Sequence, residues 1–574
     1  MSRPSGNTIA VGIDFGTTYS GVAFSCSTRI ERIEVISTWD SQHINADLEK
    51  TPTSLAYDDD GNLLWGHAIP FDLKQLRLPE ETRKSTNLKE SRGLLQKLNL
   101  TTIEAITIYP RELSLHADDR ISKSLGYSLV HESRFNVIIT LPAIWPTYAQ
   151  DRMMEDAREA GILDSRAGGE TQLTFISEPE AATLATLTEM ALDNRCDLEN
   201  GDTFVVADCG DGTADLISYE MVNTNPMRLR ECVRVEGNLC GAIFVDEKFT
   251  ELLKHKLDVR RWNKMPDHVH HRLVTNEWEG SMKKQFDGKQ RQWRIQIPYE
   301  CLHDEIELGE ALPKVMITSD DVEATLKKVT GQILKMVDNQ IRGIVKKKGC
   351  GPKYLILAGG FGRSRYLHNA LKNHVGRTEC ILTTVHRWIA ISRGAVLHAA
   401  RYSGNYRLSA DVQARISRAS YGVLCDARWD GEIHDYRDKV WNKILQCWVA
   451  ENHPEWFQRI NTVVESAAVV KYEYQRHYSL DGVAPRVIKG EIYMSKASTP
   501  PKRSKDPSVH KLCTIKWDVK VDIASLPTWT NPIGKVYHRL DFTIQMTTSG
   551  GYLDFVIYHR GKRQGSQHVV VEFK

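Results

Sequence analysis

The amino-acid sequence predicts an α/β protein of two similar lobes followed by a β-rich domain. Three observations carry that reading. Residues 9–24, IAVGIDFGTTYSGVAF, read as a hairpin: the apolar run from Ile9 to Ile13 ends at Asp14, Gly16 turns the chain, and Thr17, Thr18 and Tyr19 lead into Val22, Ala23 and Phe24. Residues 204–220, FVVADCGDGTADLISYE, repeat the plan, with Asp208 followed by Gly210, Gly212 and Thr213. Residues 403–574 carry several segments of strict apolar–polar alternation, the mark of half-buried strands.

The hairpin tips carry chemistry. Gly16 permits a turn that a Cβ would resist, and successive backbone N–H groups at such a turn form a concave anion site. Asp14 beside a phosphate would be repelled unless a cation stood between them. Magnesium suits the place, because it prefers oxygen ligands and keeps part of its water shell. Two such hairpins suggest a triphosphate and its metal held between two lobes. A third turn, in residues 353–367, KYLILAGGFGRSRYL, follows an apolar strand with Gly359 and Gly360 and leads into a predicted helix. Bare backbone there lets a flat ring approach closely.

Together these stretches resemble the phosphate-1, phosphate-2 and adenosine motifs of the actin-like (ribonuclease H-like) ATPase superfamily. GIDFGTTYSGVAF is most similar to the 70-kDa heat-shock chaperone family. Residues 137–146 (VIITLPAIWP) with 148–161, and residues 176–186 (ISEPEAATLAT), follow in the same order. The resemblance covers residues 8–402 and looks most like the divergent fungal-type branch without a helical lid. It implies a nucleotide-binding domain over 1–402, with lobe I at about 1–200 and 380–402 and lobe II at about 201–379, and a β-rich, sandwich-like domain over 403–574.

The same resemblance implies ATP and Mg2+ as cofactors and assigns roles. Asp14 and Asp208 would hold the metal, and Glu178 its water shell. Thr17, Thr18 and Thr213 would meet phosphates and water, on loops shaped by Gly16, Tyr19, Gly210 and Gly212. Lys74 would orient the nucleophile. Gly241 would contact phosphate and ribose, with Cys240 replacing a family glycine. Lys283 would reach the ribose. Lys284 stands where an arginine usually lies on the adenine, and Gly359, Gly360 and Arg363 would border the ring. Without the resemblance, Lys74 reads as a solvated lysine, Glu178 as a carboxylate favouring a helix N-terminus, and Lys283 and Lys284 as a basic helix face. Pro142 reads either as a family relay proline or as a strand terminator.

The remaining segments read simply. Residues 51–57 form a strand and 58–61 a turn; 79–135 show helical periodicity without chemistry. Residues 147–161 form a helix capped by Thr147 and ended by Gly161. Residues 320–348 form a long amphipathic helix with Val322, Leu326, Val329, Ile333, Val337, Ile341 and Ile344 on one face. In the last domain, Cys513, Ile515, Trp517, Val519 and Val521 share a face, 540–546 and 552–558 alternate likewise, and 567–573 reads as a closing strand, which leaves no lid. Residues 496–511 read as a mobile basic loop, and the family's hydrophobic linker is not evident in 401–419.

Composition narrows the function classes. The 574 residues are enough for two to four domains, and 41% hydrophobic content is ordinary for a globular chain. Seventy-five basic against 73 acidic residues leave +2, which gives no case for nucleic acid or membrane attraction. The first residues, MSRPSGNT, lack an apolar leader, and no apolar run approaches a bilayer's thickness. Eleven scattered cysteines without a CxxC pair argue against a disulfide framework or a zinc site. Cytoplasmic residence, or nuclear, is the expectation. Expected partners are ATP/ADP and, by resemblance, extended peptides, client proteins or co-chaperones.

One departure bears on activity. The family's second phosphate loop carries a glycine where this chain has Asp211. A carboxylate about 4 Å from a phosphate, at an effective dielectric near 20, costs roughly 4 kcal/mol, or about three decades of affinity. Asp211 is therefore expected to point away or to face the metal. The sequence leaves an ATP-driven chaperone-like protein, with slow hydrolysis, beside a nucleotide-binding pseudo-ATPase or scaffold. A sugar kinase is disfavoured, because no sugar-binding insertion or base aspartate is visible.

Overall fold

A computed structural model describes residues 7–29, 31–41, 48–58, 60–70, 76–77, 95–96, 101–145, 147–192, 197–299, 302, 312–375, 380–382, 388–400, 411–466, 468–480, 487–518, 523–549 and 552–564. Lys74, the closing strand read at 567–573, and Val519 and Val521 lie outside them. The chain forms two compact units, residues 1–411 and 412–574.

The first unit holds two sheets of the same plan. In the first, the order is Glu34–Val35, Tyr19–Cys26, Thr8–Phe15, Arg134–Leu141 and Gln172–Ser177. The first three are antiparallel neighbours and the last two run parallel to Thr8–Phe15. In the second, Met227–Asn238, Ala214–Thr224 and Thr203–Cys209 form the antiparallel trio, and Tyr354–Ala358 and Cys380–Leu382 are the parallel pair. Each hairpin's first strand thus lies in the middle of its sheet. That explains its unbroken apolar run, since strands covered on both faces need no polar alternation. The strand Cys380–Leu382 belongs to the second sheet, so the return to the first lobe falls later than residue 380. It comes with the helix Ala390–Ala400.

Helices cover the sheets. Helix Ser319–Lys348 opens on a capping box in which Thr318 and Asp321 satisfy each other's backbone N–H groups, and it closes at Gly349 with φ +77°. Val322, Leu326, Val329, Ile333, Val337 and Ile344 enter the core of the second lobe, with Ile341 packed beside it. Between the lobes, helix Glu178–Leu192 packs on helix Ala390–Ala400 and touches strands of both sheets. This seam is lined by small residues, including Ala10, Ala181, Ala185, Ala395 and Ala399. A Cβ built on Gly394 would collide with the Ala181 carbonyl, and one on Gly12 with the Ser392 carbonyl.

The second unit is a pair of sheets on one core. One runs Lys439–Asn442, Cys447–Gln458, Ser420–Arg428, Val487–Ser495 and Val509–Asp518. The other is built on Val536–Ser549, which pairs with Val469–Ser479 on one edge and with Thr528–Thr530 and Tyr552–His559 on the other. Cys513 and Ile515 from the first meet Leu540, Phe542, Ile544, Met546, Leu553, Phe555 and Ile557 from the second. The basic segment read as a mobile loop is pinned at two points. Arg503 forks onto Asp438 at 2.6 and 2.7 Å, and the Trp456 indole donates to the Pro501 carbonyl at 2.7 Å.

The seam yields a test with two opposed terms. Gly to Ala inside a helix gains about 1 kcal/mol of propensity, whereas overpacking costs about 1–3 kcal/mol. Because the obstructing atom is backbone, Gly394→Ala is expected to lower the urea midpoint. An unchanged or raised midpoint means that the two helices part without cost.

Candidate functional site

The site grows from the ends of the two central strands. Asp14 lies at the C-terminal end of Thr8–Phe15, opposite Gly21 and Thr140 in the two ladders, and only 2% of it is exposed. The turn after it is tight enough that a Cβ on Gly16 would collide with the Tyr19 carbonyl. Thr53 secures the turn: its hydroxyl donates to the Gly16 carbonyl at 2.7 Å, and its backbone N–H to the Thr18 carbonyl at 2.8 Å.

The sequence reading missed the residue nearest to Asp14. Lys50 places its Nζ 2.5 Å from Asp14 Oδ2, with 9% of its side chain exposed. The stem crosses Gly21, where a Cβ would stand 2.9 Å from Lys50 Cγ. Its position follows from the short strand Thr51–Pro52, which pairs with Tyr19 and Ser20. Burial pulls the ammonium pKa down, but the carboxylates of Asp14, Asp211 and Glu178 more than reverse this, and the net shift is upward. The available signal was a lysine next to a strand and a glycine inside the second hairpin strand.

The second tip is richer in acid. Asp208 ends Thr203–Cys209 and is buried, and its Oδ1 has no hydrogen-bond partner. Burial first, then the Asp215 and Asp14 carboxylates, push its pKa up to about 8. Glu178, at the start of Glu178–Leu192, is pushed well above the carboxylate range by burial and by Asp208, Asp14 and Asp215. The Thr213 hydroxyl donates to Asp215 at 3.3 Å. Gly359, at φ +81°, brings its backbone so close that a Cβ would stand 2.5 Å from Asp208 Oδ1. The backbone N–H groups of Gly241, Ala242 and Ile243 donate to the carbonyls of Gly212, Gly210 and Asp211. Gly241 therefore braces the loop, and a Cβ there would collide with the Asp211 carbonyl.

The two tips meet through Asp211. Its Oδ2 accepts a short hydrogen bond from the Thr18 hydroxyl of the other lobe. Gly360 lies against it, and its carboxylate helps hold the Lys50 and Lys283 ammonium pKa values up. A carboxylate thus sits among groups that suit an anion.

The residues assigned to ribose and adenine have the following surroundings. Lys283 binds both oxygens of Asp246, at 2.7 and 2.9 Å, and the Trp278 indole donates to the same carboxylate at 2.6 Å. The helix before them is π-wound over Leu273–Met282, a form frequent at functional sites. Lys284 is exposed. Arg363, also exposed, lies 5.4 Å from the Trp388 ring, which stands 5.6 Å from the ring of Tyr19. Of the assigned residues, Asp14, Thr18, Glu178, Asp208, Gly359 and Gly360 gather around one space, with Lys50 and Asp211 added.

A hard cation fits at Asp208, whose buried Oδ1 lacks a partner among an all-oxygen donor set. Among the described residues no group of three or more His, Cys, Asp or Glu forms a ready metal cage. A divalent ion would lean on ligand oxygens and water for the rest of its shell, as Mg2+ does. At Asp14 the cation in place is Lys50.

Asp208 gives a pH dependence of known sign. Its folded pKa lies above the unfolded value, so the folded chain keeps a proton that the unfolded chain has lost. The group's contribution is full below about pH 4 and lost as pH rises to about 8. Asp208→Asn is expected to raise the melting temperature of the ligand-free protein at pH 8 and to change it much less at pH 5. A pH-independent difference in scanning calorimetry contradicts this.

No protein-family profile matches the chain. Among curated proteins it is similar to Heat shock 70 kDa protein 12B of Homo sapiens, 26% identical over 311 residues that cover 43% of this chain and 44% of that one. It is similar to Heat shock 70 kDa protein 12A of Mus musculus, 26% identical over 309 residues, 43% and 45% of the two chains. The human 12A protein matches at 25% over 309 residues, with the same coverage. The chain thus spans less than half the length of these relatives. No described helix is long and apolar enough to cross a membrane. The likeness makes the chain a distant relative of proteins named for the 70-kDa heat-shock class.

Proposed function

We propose that the first unit is an actin-like nucleotide-binding domain that takes MgATP between its two hairpin tips and hydrolyses it slowly. The β-rich unit is, in this reading, the part that meets an extended peptide or protein partner. One observation carries the proposal. Two central strands of identically ordered sheets end in buried aspartates, and their tips come together at Thr18 and Asp211, beside the glycine turn of Gly359 and Gly360. The names of the distant relatives support it.

A magnesium ion at Asp208 would neutralise phosphate charge, which is most of what phosphoryl transfer asks of a protein. The chain's residues bind and orient: Thr17, Thr18 and Thr213 at the phosphates, Glu178 at ordered water, and Lys74, by resemblance, at the nucleophile. A second reading, a nucleotide-binding scaffold with no turnover, is favoured by the same contact. Asp211 occupies the Thr18 hydroxyl, and a ligand phosphate must displace it.

Two measurements test this. MgATP at a hundred times its dissociation constant should stabilise the fold by about 2.7 kcal/mol through mass action. An unchanged melting temperature, with no heat of binding in calorimetry, removes the nucleotide reading. Asp211→Gly should tighten ATP binding by about tenfold or more, since a like-charge clash disappears. Single-turnover hydrolysis of radiolabelled ATP by the wild type and this variant then separates slow ATPase from scaffold. Equal affinity in both removes Asp211 from the site.

A further inference from the structure

The least expected group in the cleft is the Lys50 ammonium. A surface lysine usually leaves its head in water, but Lys50 buries its head against Asp14 at 2.5 Å. The chain makes specific room for it. Gly21 interrupts an otherwise side-chain-bearing strand where the lysine stem passes, and His67 Nε2 stands 3.0 Å from the Lys50 carbonyl oxygen. Asp14, Asp211 and Glu178 all act on this one ammonium. A buried ion pair adds little stability over an apolar pair of similar volume, so stability alone does not account for it. An ammonium has three donors, and Asp14 takes one.

We propose that Lys50 is the resident cation of the phosphate cleft. Its ammonium holds the position beside Asp14 that a divalent ion would take, and it meets ligand phosphate oxygens there without a metal. The divalent ion, when present, belongs to Asp208 alone. The cleft therefore divides its cations: one built into the chain on the first hairpin, one exchangeable on the second. The phosphate-binding half of this inference rests on the nucleotide reading, whereas the cation half does not.

The test uses the full-length chain and two probes. The first is Mn2+ alone, followed by electron paramagnetic resonance in wild type and Lys50→Met. Removing the ammonium frees Asp14 and ends a like-charge repulsion, so the variant should bind Mn2+ at least about tenfold more tightly. Asp14→Asn combined with Lys50→Met should return the affinity to the wild-type level. Equal Mn2+ affinity in wild type and Lys50→Met overturns the proposal, as does a double variant that keeps the tighter site. Should Lys50→Met not fold, Lys50→Gln carries the same comparison.

The second probe is ADP in excess EDTA. Wild type should bind within about threefold of its affinity with Mg2+. Lys50→Met should lose at least about tenfold without metal and recover with it. A wild type that needs Mg2+ as much as the variant does overturns the phosphate role. If neither protein binds ADP while Mn2+ behaves as expected, the nucleotide reading falls and the resident cation stands.

Discussion

Asp14 and Asp208 are buried at the ends of two central strands, and the first unit is arranged around that burial. A carboxylate taken out of water needs a compensating charge or proton. The two lobes answer in different ways. On the first hairpin the compensation is Lys50, covalently part of the chain and seated over Gly21. On the second it is a proton: burial first, and then the nearby Asp215 and Asp14 carboxylates, push the Asp208 pKa up to about 8. Two sheets of the same strand order thus end in two electrostatic solutions.

Asp211 shows how a loop substitution is absorbed. Its carboxylate accepts from the Thr18 hydroxyl and acts at a distance on the Lys50 and Lys283 ammonium groups. Thr18 belongs to one hairpin tip and Asp211 to the other, so this one hydrogen bond joins the two lobes. The Lys283 ammonium is itself held by Asp246, whose helix Ala242–Leu257 begins by donating backbone N–H groups to the Asp211 loop. The loop, the helix and the lysine form one hydrogen-bonded unit.

The hairpins were legible because their signal is local. An apolar run, an aspartate, a glycine and a threonine fall within about ten residues, and strand and turn chemistry do not depend on distant partners. The alternating strands of the β-rich unit were legible for the same reason: Cys513 and Ile515, and Leu540 to Met546, do face the core. Their pairing was not, because Val469–Ser479 and Val536–Ser549 meet across a long stretch of chain. Lys50 escaped notice because its partner lies 36 residues away and is reached only through the pairing of Thr51–Pro52. Lys283 was assigned to the ribose by resemblance, and its ion pair with Asp246 was not legible because the π-wound turn that seats it has no sequence periodicity of its own. Lys74 was chosen by motif position and lies outside the described residues.

The seam between helices Glu178–Leu192 and Ala390–Ala400 has a mechanical consequence. At Gly394 and Ala181 the two backbones touch with no side chain between them. Side chains elsewhere in a core can change rotamer and absorb a shift, but bare backbone cannot. The first helix carries Glu178 at the acid cluster and rests on strands of both sheets. A displacement of Glu178 by a fraction of an ångström would therefore pass along the pair as a rigid translation, as force passes through a gear with no play.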